Sequence, residues 1–129
     1  MAAYLLDSNI LIDALNQRRS RDQLLRNLVL EHHALTCCSI NITEVYAGMR
    51  PEEESRTAEL LDNLEYCHVT REIARQAGLL KRDYARRGIT LSLADATVAA
   101  VAMAHRMTLV TDNVKDYPMP DIQLYSPPR

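Results

Sequence analysis

The side chains best suited to chemistry in this chain are carboxylates standing alone in apolar sequence. Asp95 is the only charged residue between Arg87 and His105. It lies near the start of a run, Ser92 to Ala104, that is apolar all round and predicts a buried helix. A carboxylate there costs free energy unless it is hydrogen-bonded, paired or bound to a metal. Asp7 repeats the pattern, ending Ala-Ala-Tyr-Leu-Leu and preceding Ser-Asn-Ile-Leu-Ile. Gathered carboxylates repel one another and need a cation or raised pKa values. An oxygen-only donor set selects hard cations such as Mg²⁺ or Mn²⁺. Such an ion acidifies a bound water and stabilises charge on a phosphodiester during in-line attack. Metal-dependent phosphodiester hydrolysis is therefore the indicated reaction class. No Walker A loop, GxGxxG or GxSxG motif competes with it. The histidines, His32, His33, His68 and His105, stand beside none of these acids.

The elements that must position the acids alternate between strand and helix. Tyr4 to Asp7 reads as a buried strand, Ser8 to Gln17 as a helix, and Ser20 to His33 as a second helix. Residues 35–39 form a second strand, followed by a short helix from Asn41 to Met49 that Gly48 and the Arg50-Pro51 step terminate. Pro51 opens a helix to about Leu64, with Glu52, Glu53 and Glu54 where the helix dipole favours acids. Residues 66–70 are a third strand, and Thr70 caps a long helix that Gly88 stops after Arg87. Ser92 caps the Asp95 helix, 107–111 form a fourth strand and 121–125 a fifth, leaving 126–129 as a frayed tail. This alternation predicts an α/β fold: one domain over 1–129, with a central parallel sheet of four to five strands and helices on both faces. Ligands bind such sheets outside the carboxyl ends of the strands. Asp7 lies at the end of strand one, Asp112 and Asp116 just past strand four, Glu44 in the helix after strand two, and Asp95 in the helix before strand four. Acids from distant parts of the chain can thus reach one sheet edge.

Each acid also has a purely structural explanation. Asn41-Ile-Thr-Glu44 fits a capping box, and Ser92-Leu-Ala-Asp95 a looser one. Asp112 and Asp116 sit in a polar turn, where acids are common. Asp7, bare at the end of an apolar strand, has no obvious structural role. These readings explain the acids singly, but not their convergence on one edge.

Composition bounds the remaining classes. The chain has 129 residues, 47% hydrophobic and 25% charged, with no Trp or Phe, so its core is aliphatic with some Tyr. Its apolar stretches are too short or interrupted for a transmembrane helix, and its start lacks a signal-peptide pattern. Cytoplasmic location without membrane association is the resulting expectation. A net charge of −2 does not itself indicate nucleic acid. Basic residues nevertheless cluster at Arg18, Arg19, Arg21 and Arg26, and at Arg71, Arg75, Lys81, Arg82, Arg86 and Arg87. Either group suits phosphate contact, or else the solvated face of a helix. Cys37, Cys38 and Cys67 are best read as buried free thiols. A zinc site from His32, His33, Cys37, Cys38, Cys67 and His68 matches no common spacing.

Four segments resemble PIN-domain nucleases. Leu-Leu-Asp7-Ser-Asn-Ile-Leu-Ile is similar to their opening motif, Asn41-Ile-Thr-Glu44-Val-Tyr to their second, and Leu-Ala-Asp95-Ala-Thr to their third. Thr111-Asp112-Asn113-Val-Lys-Asp116-Tyr117 is similar to their fourth, with Tyr117 where Phe is commoner. Order, spacing and chain length resemble the VapC branch, toxins of toxin–antitoxin pairs. The resemblance implies a Mg²⁺- or Mn²⁺-dependent endoribonuclease acting on structured RNA such as tRNA or rRNA. It makes Asp7, Glu44, Asp95 and either Asp116 or Asp112 the metal-site acids. It assigns ligand-orienting hydroxyls to Ser8 and Thr111, and outer hydrogen-bonding groups to Asn9 and Asn113. A homodimer and a cognate antitoxin protein are implied as well. The antitoxin would cover the two helices after Asp7, or the helix around Val45, Tyr46 and Met49. A rival class is a catalytically silent PIN-like module that binds RNA or protein. Phosphotransfer through Asp7 is a further rival. The haloacid-dehalogenase type needs a second Asp where this chain has Asn9, and receiver domains need an acidic pair near the first strand.

Overall fold

Five short apolar segments pair side by side in the computed structural model, which describes residues 2–128. They are β1 (Ala3–Leu6), β2 (Ala34–Cys38), β3 (Glu65–Cys67), β4 (Thr108–Val110) and β5 (Gln123–Tyr125). All pair in parallel, in the order β3-β2-β1-β4-β5. Leu5 lies opposite Thr36 on one side and Leu109 on the other, and Leu6 opposite Val110.

Successive strand residues face opposite ways, so each apolar pair divides between two cores. Leu6, Cys37 and Val110 face one layer, packing on α1 (Ser8–Leu15), α2 (Arg21–Leu30), α3 (Ser39–Gly48) and α4 (Glu54–Asp62). Leu5, Cys38 and Leu109 face the other, against α5 (Arg71–Arg86) and α6 (Leu93–Ala104). The expected doubly covered parallel sheet is what forms. The Ser92 to Ala104 run does become a helix enclosed almost all round: from Ala96 to Ala102 only Thr97 is not buried. No helix among the described residues is long and apolar enough to cross a membrane.

Several boundaries shift for local reasons. β3 ends at Cys67 rather than Thr70, because Thr70 serves as the cap of α5, its Oγ1 accepting from the Ile73 N–H at 3.1 Å. Gly88, at φ +79°, ends that helix in the left-handed conformation that suits glycine. α3 begins two residues before Asn41, so the expected Asn41–Glu44 capping box does not form. Asn41 instead occupies the first turn, its Oδ1 accepting from the Cys38 N–H at 2.8 Å. A 3-10 turn, Pro51–Glu53, precedes α4. The tail beyond Tyr125 is anchored rather than frayed through Pro128: Pro127 is buried and the Pro128 carbonyl accepts from Arg21. Arg129 lies outside the described residues.

The chain runs outward from β1 to β2 and β3, then crosses to β4. The strand order therefore reverses between β1 and β4, where sheets of this kind open a crevice at their carboxyl ends. Asp7 and Thr111 are the residues immediately beyond those two strands.

Candidate active site

Asp7 leaves β1 and caps α1 in extended conformation, φ −65° and ψ 150°. Its Oδ1 accepts from the Ser8 N–H, the first of α1, at 2.8 Å. Its Oδ2 accepts from the Thr111 hydroxyl at 2.7 Å, a bond that ties the ends of β1 and β4 together across the crevice. Burial pushes the Asp7 carboxyl above its ordinary range. The two hydrogen bonds pull the other way, and the nearby charges of Asp95 and Glu44 push it up further.

Glu44 reaches the same edge from α3. Because Asn41 rather than Glu44 serves the start of α3, the Glu44 carboxylate is free to point outward, and its Oε1 accepts from the Ser8 hydroxyl at 2.6 Å. The Ser8 oxygen in turn accepts from the buried Asn41 amide at 3.1 Å. Asn41, Ser8 and Glu44 thus form a chain of donors and acceptors that joins α3 to α1.

Asp95 enters from the first turn of α6, its backbone N–H bonded to the Ser92 hydroxyl at 2.9 Å. It is half-buried, and desolvation raises its carboxyl pKa, with Asp116 and Glu44 adding repulsion. Asp116 ends a 3-10 turn, Val114–Asp116, in the loop after β4. The Tyr117 hydroxyl lies 3.2 Å from Asp95 Oδ1 and 3.4 Å from Asp7 Oδ2, so it touches carboxylates from two helices. Tyr117 is buried, and both burial and the two acids push its phenol well above the ordinary range.

Glu44 and Asp95 therefore lie close enough to Asp7 to raise its carboxyl pKa, and Glu44 and Asp116 close enough to Asp95 to raise its own. Asp112 does not join them. Both of its oxygens are held by Arg21, Nε to Oδ2 at 3.2 Å and Nη2 to Oδ1 at 2.7 Å. Thr111 adds a second bond by accepting from the Asn113 backbone N–H at 2.9 Å; Asn113 contributes its main chain there, not its amide. Asn9 is exposed, with no side-chain hydrogen bond among the described residues.

Three contributors were understated by sequence reasoning. Arg21, grouped with the basic cluster, is fully buried rather than on a rim. Asn41, read as a cap, is a buried support for Ser8. Tyr117, noted only as a Tyr in place of Phe, touches two of the acids, and that substitution was the signal. The second basic group remains mostly on the surface. Arg75 pairs with Glu72, Arg82 with Asp83, and Arg87 stacks 4.0 Å over the Tyr84 ring.

The donor set consists of carboxylates and hydroxyls, which suits a hard divalent ion. Among the described residues no three His, Cys, Asp or Glu side chains converge tightly enough to clasp an ion by themselves. An ion held by one or two carboxylates and completed by water is the usual arrangement for Mg²⁺, and the spread of these acids fits it. The thiols offer no zinc site. Cys37 and Cys38 face opposite layers, and burial pushes the Cys37 thiol up to about 11, away from the thiolate a metal needs.

Comparison with known proteins agrees with this geometry. The PIN domain family model matches residues 4–115. Ribonuclease VapC10 of Mycobacterium tuberculosis is 32% identical over 116 residues, covering 89% of this chain and 86% of the relative. Ribonuclease VapC19 of the same organism is 29% identical over 120 residues, covering 92% and 96%. A chain from the crystal structure of VapBC2 from Rickettsia felis, bound to a DNA fragment from its promoter, superposes with a TM-score of 0.83 at 25% identity, covering 95% of this chain and 97% of that one. With most of its length matched, and its acids gathered where β1 and β4 part, this chain belongs to the PIN domain family, in its VapC branch.

Proposed function

We propose that this protein is an endoribonuclease toxin that cleaves structured RNA with Mg²⁺ or Mn²⁺ and is neutralised by a cognate antitoxin. The observation carrying the reading is the meeting of Asp7, Glu44, Asp95 and Asp116 at the β1–β4 crevice, each from a different segment. Relatives named as ribonucleases support the reaction class. In this reading Asp7, Glu44, Asp95 and Asp116 surround the ion, one or two binding it directly and the others through water, and Asp112 does not take part, since Arg21 occupies both its oxygens. The ion, when bound, would acidify a water and offset negative charge building on the scissile phosphate. Ser8 orients Glu44, Thr111 orients Asp7, and Asn41 fixes Ser8. Exposed arginines of α5, such as Arg71 and Arg86, supply phosphate contacts for the RNA backbone.

A groove of about 920 Å³ runs between α1, α2 and α4, lined by Leu15, Leu25, Val29, Leu60 and Leu64 and edged by Arg26 and Glu59. Its apolar floor and charged rim suit an amphipathic segment of an antitoxin. This favours the helices after Asp7; on the helix around Val45, Val45 itself is buried and Tyr46 and Met49 are half-buried. The protein works as one domain, as a homodimer, in the cytoplasm.

The test is incubation of antitoxin-free protein with tRNA and rRNA in Mg²⁺, Mn²⁺ or EDTA, beside Asp7→Asn. Discrete fragments that need metal and vanish in the variant are the expected result. Absence of cleavage, with metal still bound, would reduce the protein to a silent RNA- or protein-binding module.

A further inference from the structure

Tyr117 stands in the loop after β4, its backbone N–H bonded to the Val114 carbonyl at 3.1 Å and its side chain 2% exposed. A buried hydroxyl is costly unless it finds a partner. The side-chain partners of this one are the carboxylates of Asp95, at 3.2 Å, and Asp7, at 3.4 Å. Both distances are long for O–H···O bonds, as expected where one proton serves two acceptors.

The two acids depend on it unequally. Asp7 keeps its orientation without Tyr117, since the Ser8 N–H and the Thr111 hydroxyl hold one oxygen each. Among the described residues the Asp95 carboxyl has only the Ser92 hydroxyl, three residues away at the start of its own helix, as a further side-chain partner, so Tyr117 is its one tie to the rest of the site. We propose that the Tyr117 hydroxyl is a positioning group that sets the rotamer of Asp95 relative to Asp7, and so raises the affinity of the pair for a divalent cation. A phenylalanine would fill the same space and leave Asp95 held by Ser92 alone, with no tie to Asp7. Hydrogen bonds that orient carboxylate ligands are worth about 10–100-fold in metal affinity. This role rests on the proposed divalent-ion site.

The experiment is a Mn²⁺ titration of the purified chain, read by loss of the free aqueous Mn²⁺ signal in electron paramagnetic resonance. It covers wild type, Tyr117→Phe, Asp95→Asn and the double variant. Tyr117→Phe should weaken Mn²⁺ binding about tenfold. If Tyr117 acts through Asp95, adding Tyr117→Phe to Asp95→Asn should change Mn²⁺ affinity little further. Equal or tighter binding by Tyr117→Phe, or full additivity in the double variant, overturns the role, even if the thermal midpoint falls. Should Tyr117→Phe fail to fold, Tyr117→Leu compared with Asp95→Asn repeats the cycle. Wild-type protein that binds no Mn²⁺ sinks the metal site itself and the Tyr117 role with it.

Discussion

Arg21 and Asp112, 91 residues apart, meet fork to fork: both carboxylate oxygens accept from the guanidinium, at 2.7 and 3.2 Å. The remaining Arg21 nitrogen donates to the Arg19 carbonyl at 3.1 Å and the Pro128 carbonyl at 3.0 Å. One buried side chain thus joins the start of α2, the loop after β4 and the C-terminal tail. That loop carries Thr111, Asp116 and Tyr117, so the pair fixes the backbone from which the site is built.

Breaking this pair leaves a buried charge without its partner, which typically costs about 3–5 kcal/mol. Asp112→Asn should lower the thermal midpoint by on the order of 10 °C. It should still bind Mn²⁺ at temperatures where it is folded. Asp116→Asn should do the reverse, keeping stability and losing Mn²⁺ affinity. Thermal melts beside metal titrations of both variants decide which acid belongs to the metal site. Loss of Mn²⁺ binding by folded Asp112→Asn, with Asp116→Asn unaffected, would exchange the two assignments.

Asp7 and Asp95 both have carboxyl pKa values raised by folding, chiefly by burial. Between the unfolded value and the raised folded value, the native state binds more protons than the unfolded one. Stability contributed by these groups therefore falls as pH rises through that window, and at neutral pH their charge is a standing penalty. In metal-free buffer Asp95→Asn should be more stable than wild type at pH 7.5, and the gain should shrink as pH is lowered through the ordinary carboxylate range. Melting curves of the two proteins from pH 4 to 8 measure the difference directly. A gain that is constant with pH would show that repulsion and burial of charge at Asp95 are not its source.

Ser8 sits between the buried Asn41 amide and Glu44. Ser8→Ala removes the acceptor for Asn41 Nδ2 and the donor to Glu44 Oε1 together. An unsatisfied buried amide costs about 1–3 kcal/mol. The expected loss of stability is about 1–2 kcal/mol by urea unfolding, and cleavage should fall about tenfold as Glu44 loses its anchor. Glu44→Gln in the same assay separates the two effects, since it spares the Asn41–Ser8 bond. A Ser8→Ala protein with unchanged stability and activity would remove Ser8 from the site.

What the sequence made readable was whatever depended on local contrast. Asp7 and Asp95 stood out because charge in an apolar run requires a reason, and the alternation of strands and helices gave the sheet edge where they meet. Gly88 and Thr70 were legible as stop and cap because their roles are settled within a few residues. Arg21 was not, because its partner lies 91 positions away and nothing local separates a buried arginine from three exposed neighbours. Asn41 was misread by a shift in register. Starting α3 at Ser39 turns the same side chain from a cap for Glu44 into a brace for Cys38 and Ser8. Tyr117 shows in the sequence only as a Tyr where the resembling motif more often has Phe; the place of its oxygen between two carboxylates, which gives it a task, depends on residues far along the chain.

The groove between α1, α2 and α4 leads to a separate prediction, because two of its apolar lining residues, Val29 and Leu30, are exposed in the free chain. Val29 is 57% exposed although it stands on the groove wall beside Leu25. An exposed surface valine contributes little to folding, so Val29→Asp should change stability by no more than about 0.5 kcal/mol. The same change would place an unpaired carboxylate against an apolar partner segment, where desolvation makes it costly. Binding of the cognate antitoxin, measured by calorimetry, should weaken at least about tenfold, the equivalent of roughly 1.4 kcal/mol. RNA cleavage by the antitoxin-free variant should match wild type, since Val29 lines the groove and none of the acids does. Neutralisation that survives Val29→Asp unchanged would move the antitoxin to another face of the protein.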